Sequence, residues 1–206
     1  MSLDIARGIE YLHAYAVPPI IHPDIKSSNI FLDATLTAKL SNFNISVKSD
    51  IEDEPIAGTL GYKDPKYLIF GSLTTEVDVY SFGVVLLEML SGLSALHENL
   101  NGKGRHIVEF VVLYIAQNEI HRFLDPKVPP PTSLEMEALA NVASLALDCV
   151  SKEHALRISM TKVANSIQST LEGILEGQVI AYNSIACNCE SISDAERESI
   201  SDAKSE

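Results

Sequence analysis

The stretch VYSFGVVLLEMLSGL, residues 79–93, limits the fold more than any other part of this chain. A helix that is apolar nearly all round belongs inside a core rather than on a surface. It is too short to cross a bilayer, and it carries Glu88 in its interior. Other elements must therefore enclose it on all sides. The 206 residues suffice for one such core and are few for two.

The surrounding elements can be read from periodicity. Leu3, Ile5, Ala6, Ile9 and Leu12 predict an amphipathic helix ending near Tyr15, ahead of Pro18 and Pro19. Apolar runs at 20–21, 30–32 and 38–40 predict short strands, the last two joined across DATLT. Further helices are expected from about Thr75 to Leu90, from Ile107 to Asn118, and from Thr132, where Thr132 and Glu135 have capping-box spacing. A last helix should begin near Ser159, with Met160, Val163, Ala164, Ile167, Leu171 and Ile174 on one face. Between Ser41 and Gly71 no period survives, and Gly58, Gly61, Pro65 and Gly71 punctuate a long shaped loop. The expected class is α+β, mainly helical with a minor β-element. One domain should span 1–176, followed by a polar, acidic, Ser-rich and disordered tail over 177–206.

A net charge of −13 argues against a nucleic-acid partner, because a phosphate backbone requires a basic face. Cys149 falls on an apolar helical stripe and reads as packing. Cys187 and Cys189 lie near the tail, no CxxC occurs, and a reducing compartment fits best. Acidic residues stand where a signal peptide would have its apolar run, so the chain as given reads as cytoplasmic.

Chemistry concentrates in HPDIKSSNIFLD, residues 22–33. An acid (Asp24), a cation (Lys26) and an amide (Asn29) stand two and three residues apart between apolar runs. HPDIKSSN resembles the catalytic loop of protein kinases, usually H-R-D-x-K-x-x-N. SNFN (41–44) stands where D-F-G and the residue before it would be. GTLGYKDPKY (58–67) resembles the end of an activation segment, DVYSFG (78–83) resembles the start of the central kinase helix, and Arg157 takes the place of the late arginine. ARGIEYLHAYAVPPIIH, SSNI and GTLGYKDPKY are similar to plant receptor-like serine/threonine kinases. FLDPKVPPP with ALDCVSKE is closest to the Crinkly-related branch, with the wall-associated kinases second.

The resemblance implies a role for each residue. Asp24 would orient the substrate hydroxyl and accept its proton, Lys26 would offset charge on the moving phosphoryl group, and Asn29 would hold one Mg²⁺ of Mg-ATP. His22 would be structural, and Asp78 would tie the catalytic-loop backbone to the central helix. Asn42 replaces the aspartate that carries the main metal ion, and a neutral amide is a poorer ligand for Mg²⁺. Phe43 would pack in the core. Asn44 replaces a glycine whose backbone freedom is normally wanted, a mild change since asparagine tolerates the left-handed region. Pro23 replaces the arginine that anchors a phosphorylated activation segment, here Ser46, Ser49 or Thr59. Lys66 replaces the glutamate that pairs with Arg157, and a buried pair broken in this way costs on the order of 3–5 kcal/mol. Asp64 is not expected to compensate, since relatives carry an acid there beside the pair.

No Gly-rich loop, strand lysine or partner glutamate helix precedes these landmarks in the sequence. The expected fold is therefore a protein-kinase-like large lobe without the small lobe. Two functional readings stand. One is an impaired lobe, either an interaction module that meets other signalling proteins or kinases or a decaying duplicate with no function, with Mg-ATP binding weak or absent. The other is an active ATP-dependent serine/threonine kinase whose small lobe is missing from this sequence, placed at the plasma membrane if it belongs to a longer receptor.

Overall fold

Glycine at position 83 decides how closely two long helices of the core approach. A Cβ there would lie 2.6 Å from the Cβ of Cys149 and 2.8 Å from Cγ1 of Val150. The computed structural model describes residues 1–48, 57–98 and 104–179. Ser49 and the segment 180–206, with Cys187 and Cys189, lie outside the described residues.

The apolar run forms helix α3, Thr75–Ser91 in chain order, buried on every face from Val77 to Leu87. The other helices are α1 (Ser2–Glu10), α2 (Pro65–Phe70), α4 (Ile107–Ala116), α5 (Ser133–Cys149) and α6 (160–179). Residues Met1–Thr170 make one compact unit; the described residues beyond it, 171–179, are helical. The core gathers Ile5 and Ile9 of α1, Phe82 and Leu86 of α3, Ile107 and Val111 of α4, Ala146 and Cys149 of α5, and Met160, Val163 and Ile167 of α6. Burial pushes the Cys149 thiol far up, so it packs as a small apolar group. The capping box of α5 is formed at both ends: Thr132 Oγ1 accepts from the Glu135 amide, and Glu135 accepts from the Thr132 amide at 2.8 Å.

Among the described residues, three two-stranded antiparallel ladders accompany these helices. Strand β2 (Ile30–Leu32) pairs with β3 (Ala38–Leu40), as the sequence predicts. Strand β1 (Ile20–Ile21) pairs with β4 (Val47–Lys48), and β5 (Leu96–Glu98) pairs with β6 (Gly104–His106). Neither β4 nor the β5–β6 hairpin is visible in the sequence pattern. The structure also places α2 inside the 41–71 segment that reads as loop. It starts with Asp64 as N-cap and Pro65 at the first helical position, a start signal that outweighs the missing period. Helix α1 ends at Glu10 and the chain continues as one wide π-type turn, Tyr11–Tyr15, closed by the Ala16 amide on the Tyr11 carbonyl at 3.0 Å. No helix among the described residues is long and apolar enough to cross a membrane.

Candidate active site

The loop after β1 is fixed from inside the protein. Ile21 and Ile25 are sunk in the core, and His22 between them is fully buried. Its backbone amide donates to Asp78 Oδ2 at 2.8 Å, so a carboxylate at the start of α3 holds the loop. His22 Nε2 stands 2.8 Å from the Ser41 carbonyl; a carbonyl only accepts, which puts the ring proton on Nε2. A second imidazole serves the same anchor, because His13 Nε2 lies 2.8 Å from Asp78 Oδ2. The π-type turn is what brings His13 round to face it.

Asp24 lies at the centre of the site. Thr59 Oγ1 donates to its Oδ1 at 2.5 Å; Asn29 Nδ2 at 2.9 Å, Lys26 Nζ at 3.1 Å and Asn42 Nδ2 at 3.2 Å all reach Oδ2. Lys26 also donates to Thr59 Oγ1 at 2.7 Å, closing a ring of three side chains. Burial pushes the Asp24 carboxyl up, but the hydrogen bonds from Thr59, Lys26 and Asn29 outweigh it and leave the pKa below its ordinary value. Asp24 is thus an anion at neutral pH and accepts from both amides. Asn29 spends its amide hydrogens on the Asp24 side chain and on the Asp24 carbonyl at 2.8 Å, leaving Oδ1 as its acceptor.

Asn42 is the residue in the left-handed region, at φ 68° and ψ 47°. The sequence reading assigns the special backbone to Asn44, but Asn44 sits in the right-handed turn Phe43–Ile45 and needs no such freedom. Phe43 is also displaced from its expected place. It is 47% exposed rather than in the core, and its ring meets the edge of His22 at 4.9 Å. The left-handed step at Asn42, followed by the turn Phe43–Ile45, leaves that imidazole as the ring partner of Phe43 among the described residues.

The second correction concerns Arg157. Its guanidinium is not opposed by Lys66 but clasps Asp64, Nη1 to Oδ2 and Nη2 to Oδ1, and it also donates to the Ser151 and Glu76 carbonyls. Asp64 is fully buried and caps α2 through the Lys66 amide, at 2.9 Å. Lys66 turns its own side chain outward to Glu153, at 2.9 Å. The physical reason is geometric: position 64 is the N-cap and its carboxylate points inward, while position 66 is on the first turn and its long stem reaches water.

Sequence reasoning missed three partners. His13 was detectable in principle, since an acid at the start of a buried helix demands donors. Tyr62 donates to Glu88 Oε1 at 2.7 Å, and the Ala95 amide donates to the same oxygen at 2.8 Å, which explains a carboxylate within the apolar helix. Burial and that carboxylate push the Tyr62 hydroxyl up to about 12. His106 holds the Gly61 carbonyl at 2.8 Å, and no local signal marks it. Of the candidate phosphosites, Thr59 is engaged by Asp24 and Lys26, and Ser46 lies beside β4 with its hydroxyl oxygen buried.

The lobe architecture, with a central helix anchoring an Asp–Lys–Asn loop, defines a protein kinase fold. The chain matches the protein kinase domain over residues 1–167, and it belongs to that family. It is 51% identical to serine/threonine-protein kinase-like protein CCR4 of Arabidopsis thaliana, over 85% of this chain and 24% of that protein. It is 42% identical to putative serine/threonine-protein kinase-like protein CCR3 of the same plant, over 84% of this chain and 23% of the relative. Identity to wall-associated receptor kinase 5 of Arabidopsis thaliana is 36%, over 82% and 23%. The chain is of plant receptor-like kinase type, in the Crinkly-related branch, and spans about a quarter of the length of these relatives.

Proposed function

We propose that this kinase domain is impaired in phosphoryl transfer and serves in signalling as an interaction module, meeting other signalling proteins or kinases. The observation that carries this reading is the hydrogen bond from Asn42 Nδ2 to Asp24 Oδ2, at 3.2 Å. At the position where kinases carry a metal-binding carboxylate, this chain has an amide that donates into the neighbouring acid.

Mg-ATP, the family's cofactor, finds a poor fit. Mg²⁺ is held by carboxylates together with substrate phosphates and water. The residues facing the site are two neutral amides, Asn29 and Asn42, and one carboxylate that already receives four donors. A carboxylate offers about four acceptor positions, so Asp24 has little left for a metal or an incoming hydroxyl. Pro23 adds to this, since it supplies no cation beside the activation segment.

A second reading has its own support. The ring of Asp24, Lys26 and Thr59 is closed and Asn29 is bonded to Asp24, as an active ATP-dependent serine/threonine kinase that includes this segment would require. Calorimetry with Mg²⁺-ATP on the purified chain separates the two. The impaired reading expects no metal-dependent heat. Tight, metal-dependent binding that is lost in Asn29→Ala would overturn it in favour of the enzyme.

A further inference from the structure

His106 stands where the β5–β6 hairpin passes into α4, and its two ring nitrogens are used in opposite senses. Nε2 lies 2.8 Å from the Gly61 carbonyl oxygen, and Nδ1 accepts from the Val108 amide at 3.2 Å, capping α4. A carbonyl cannot donate and an amide N–H cannot accept. Only the neutral imidazole, with its proton on Nε2, satisfies both.

What His106 holds is the turn Gly58–Tyr62. The Tyr62 amide closes that turn on the Thr59 carbonyl at 3.2 Å. Gly61 has a φ of +93°, and a Cβ there would lie 3.0 Å from Leu96 Cγ and 3.2 Å from Ala95 Cβ, so the turn is pressed against the start of the hairpin. At the other end, Gly58 sits at φ +96° and a Cβ would collide with the Pro23 carbonyl oxygen. Between these two contacts stands Thr59, whose hydroxyl bonds Asp24.

We infer that His106 is a positioning residue that seats the Gly58–Tyr62 turn, and with it Thr59 on Asp24, and that releases this turn when its imidazole takes up a proton. A proton on Nδ1 sets N–H against N–H at Val108 and removes the cap. The first turn of α4 and the residue that grips Gly61 then loosen together. Burial of the ring pushes its pKa down, and the bond to Gly61 pulls the other way without reversing the shift. Of the charged groups around it, Glu109 on α4 favours the protonated ring and His97 on β5 disfavours it. Glu88 of α3 is engaged by Tyr62 and Ala95. The ring is neutral at neutral pH, and release belongs to the acid side of the ordinary histidine range. The inference goes beyond the proposed function and holds whether or not the site transfers phosphate.

Amide hydrogen exchange, corrected for intrinsic rates, and the His106 imidazole resonance are followed on the full chain from about pH 7.5 to about pH 5. Protection at Val108 and Tyr62 is expected to fall together by about tenfold, with the midpoint of the imidazole titration. His106→Asn, whose side-chain oxygen caps a helix without titrating, should keep its protection flat across that range. The inference is overturned if the imidazole titrates while both amides stay protected, or if Val108 alone responds. It is equally overturned if His106→Asn shows the same acid loss, because carboxylates would then be the cause.

Discussion

Arg157 meets Asp64 through two guanidinium–carboxylate hydrogen bonds, 2.5 Å and 3.1 Å long, across 93 positions of the chain. The same carboxylate caps α2 and lies 2.5 Å from His154 Nε2. One acid therefore joins the start of α2 to the segment that precedes α6, and the Lys66 side chain bonds Glu153 instead of that carboxylate.

Asp64→Asn should cost roughly 3–5 kcal/mol, because an amide keeps the cap but leaves Arg157 buried without its counter-charge. Lys66→Glu should leave stability nearly unchanged, since its partner Glu153 is on the surface. Double-mutant cycles read from urea midpoints check both: strong coupling for 64 with 157, and none for 66 with 157. Coupling at 66 would return the ion pair to that position.

Acid should unfold the protein partly through Asp64. Burial would raise its carboxyl, but the hydrogen bonds from Arg157 and the Lys66 amide hold it below the ordinary value. A folded pKa under the unfolded one gives stability that is fully present above the unfolded value, about 3.9, and lost as pH falls through the folded value. Urea midpoints measured from about pH 6 down to about pH 2 should therefore fall steeply at the acid end, and less steeply in Asp64→Asn. Equal slopes would assign the acid sensitivity to other carboxylates.

Gly83→Ala should destabilise the core by about 1–3 kcal/mol, although alanine is the better helix former. The added methyl would stand 2.6 Å from Cys149 Cβ and 3.2 Å from the Ala146 carbonyl, which belong to a helix that can yield only as a whole. Thermal unfolding reads the loss. An unchanged or higher Tm would mean that α3 and α5 are free to separate.

Asn42→Asp should create a stabilising response to Mg²⁺. The substitution removes a donor from Asp24 and sets a second carboxylate beside it, so the apo variant should melt lower. Millimolar Mg²⁺ should recover that loss in the variant and leave the unsubstituted chain unmoved, following the usual linkage of ligand binding to stability. A Mg²⁺-dependent Tm in the unsubstituted chain would show that the amide set holds the metal after all.

The parts of the fold legible in the sequence are those governed by local pattern. The all-apolar run became α3, the Thr132–Glu135 spacing became a formed capping box, and the short runs at 30–32 and 38–40 became a hairpin. What stayed hidden depends on long-range geometry. Strand β4 has two residues and exists because β1 is beside it, and the β5–β6 hairpin has no alternation to read. At the site, Asp24, Lys26 and Asn29 were legible because a short loop holds them together. That Asn42 would aim its amide at Asp24, or that Arg157 would choose Asp64 over position 66, follows from backbone direction, which residue identity does not encode.

The wide turn Tyr11–Tyr15 makes the loop that carries Asp24 sensitive to counting. Each residue in an α-helix advances the side chains by about 100°, so a turn holding one residue more than its neighbours is a phase shift written into the backbone. His13 reaches Asp78 because of that shift. Deleting Leu12 would bring the helix back into step, keep nearly the same composition, and swing the imidazole away from Asp78. The anchor beneath Asp24 is thus specified by arithmetic as much as by chemistry, and a change that no substitution matrix would score could undo it.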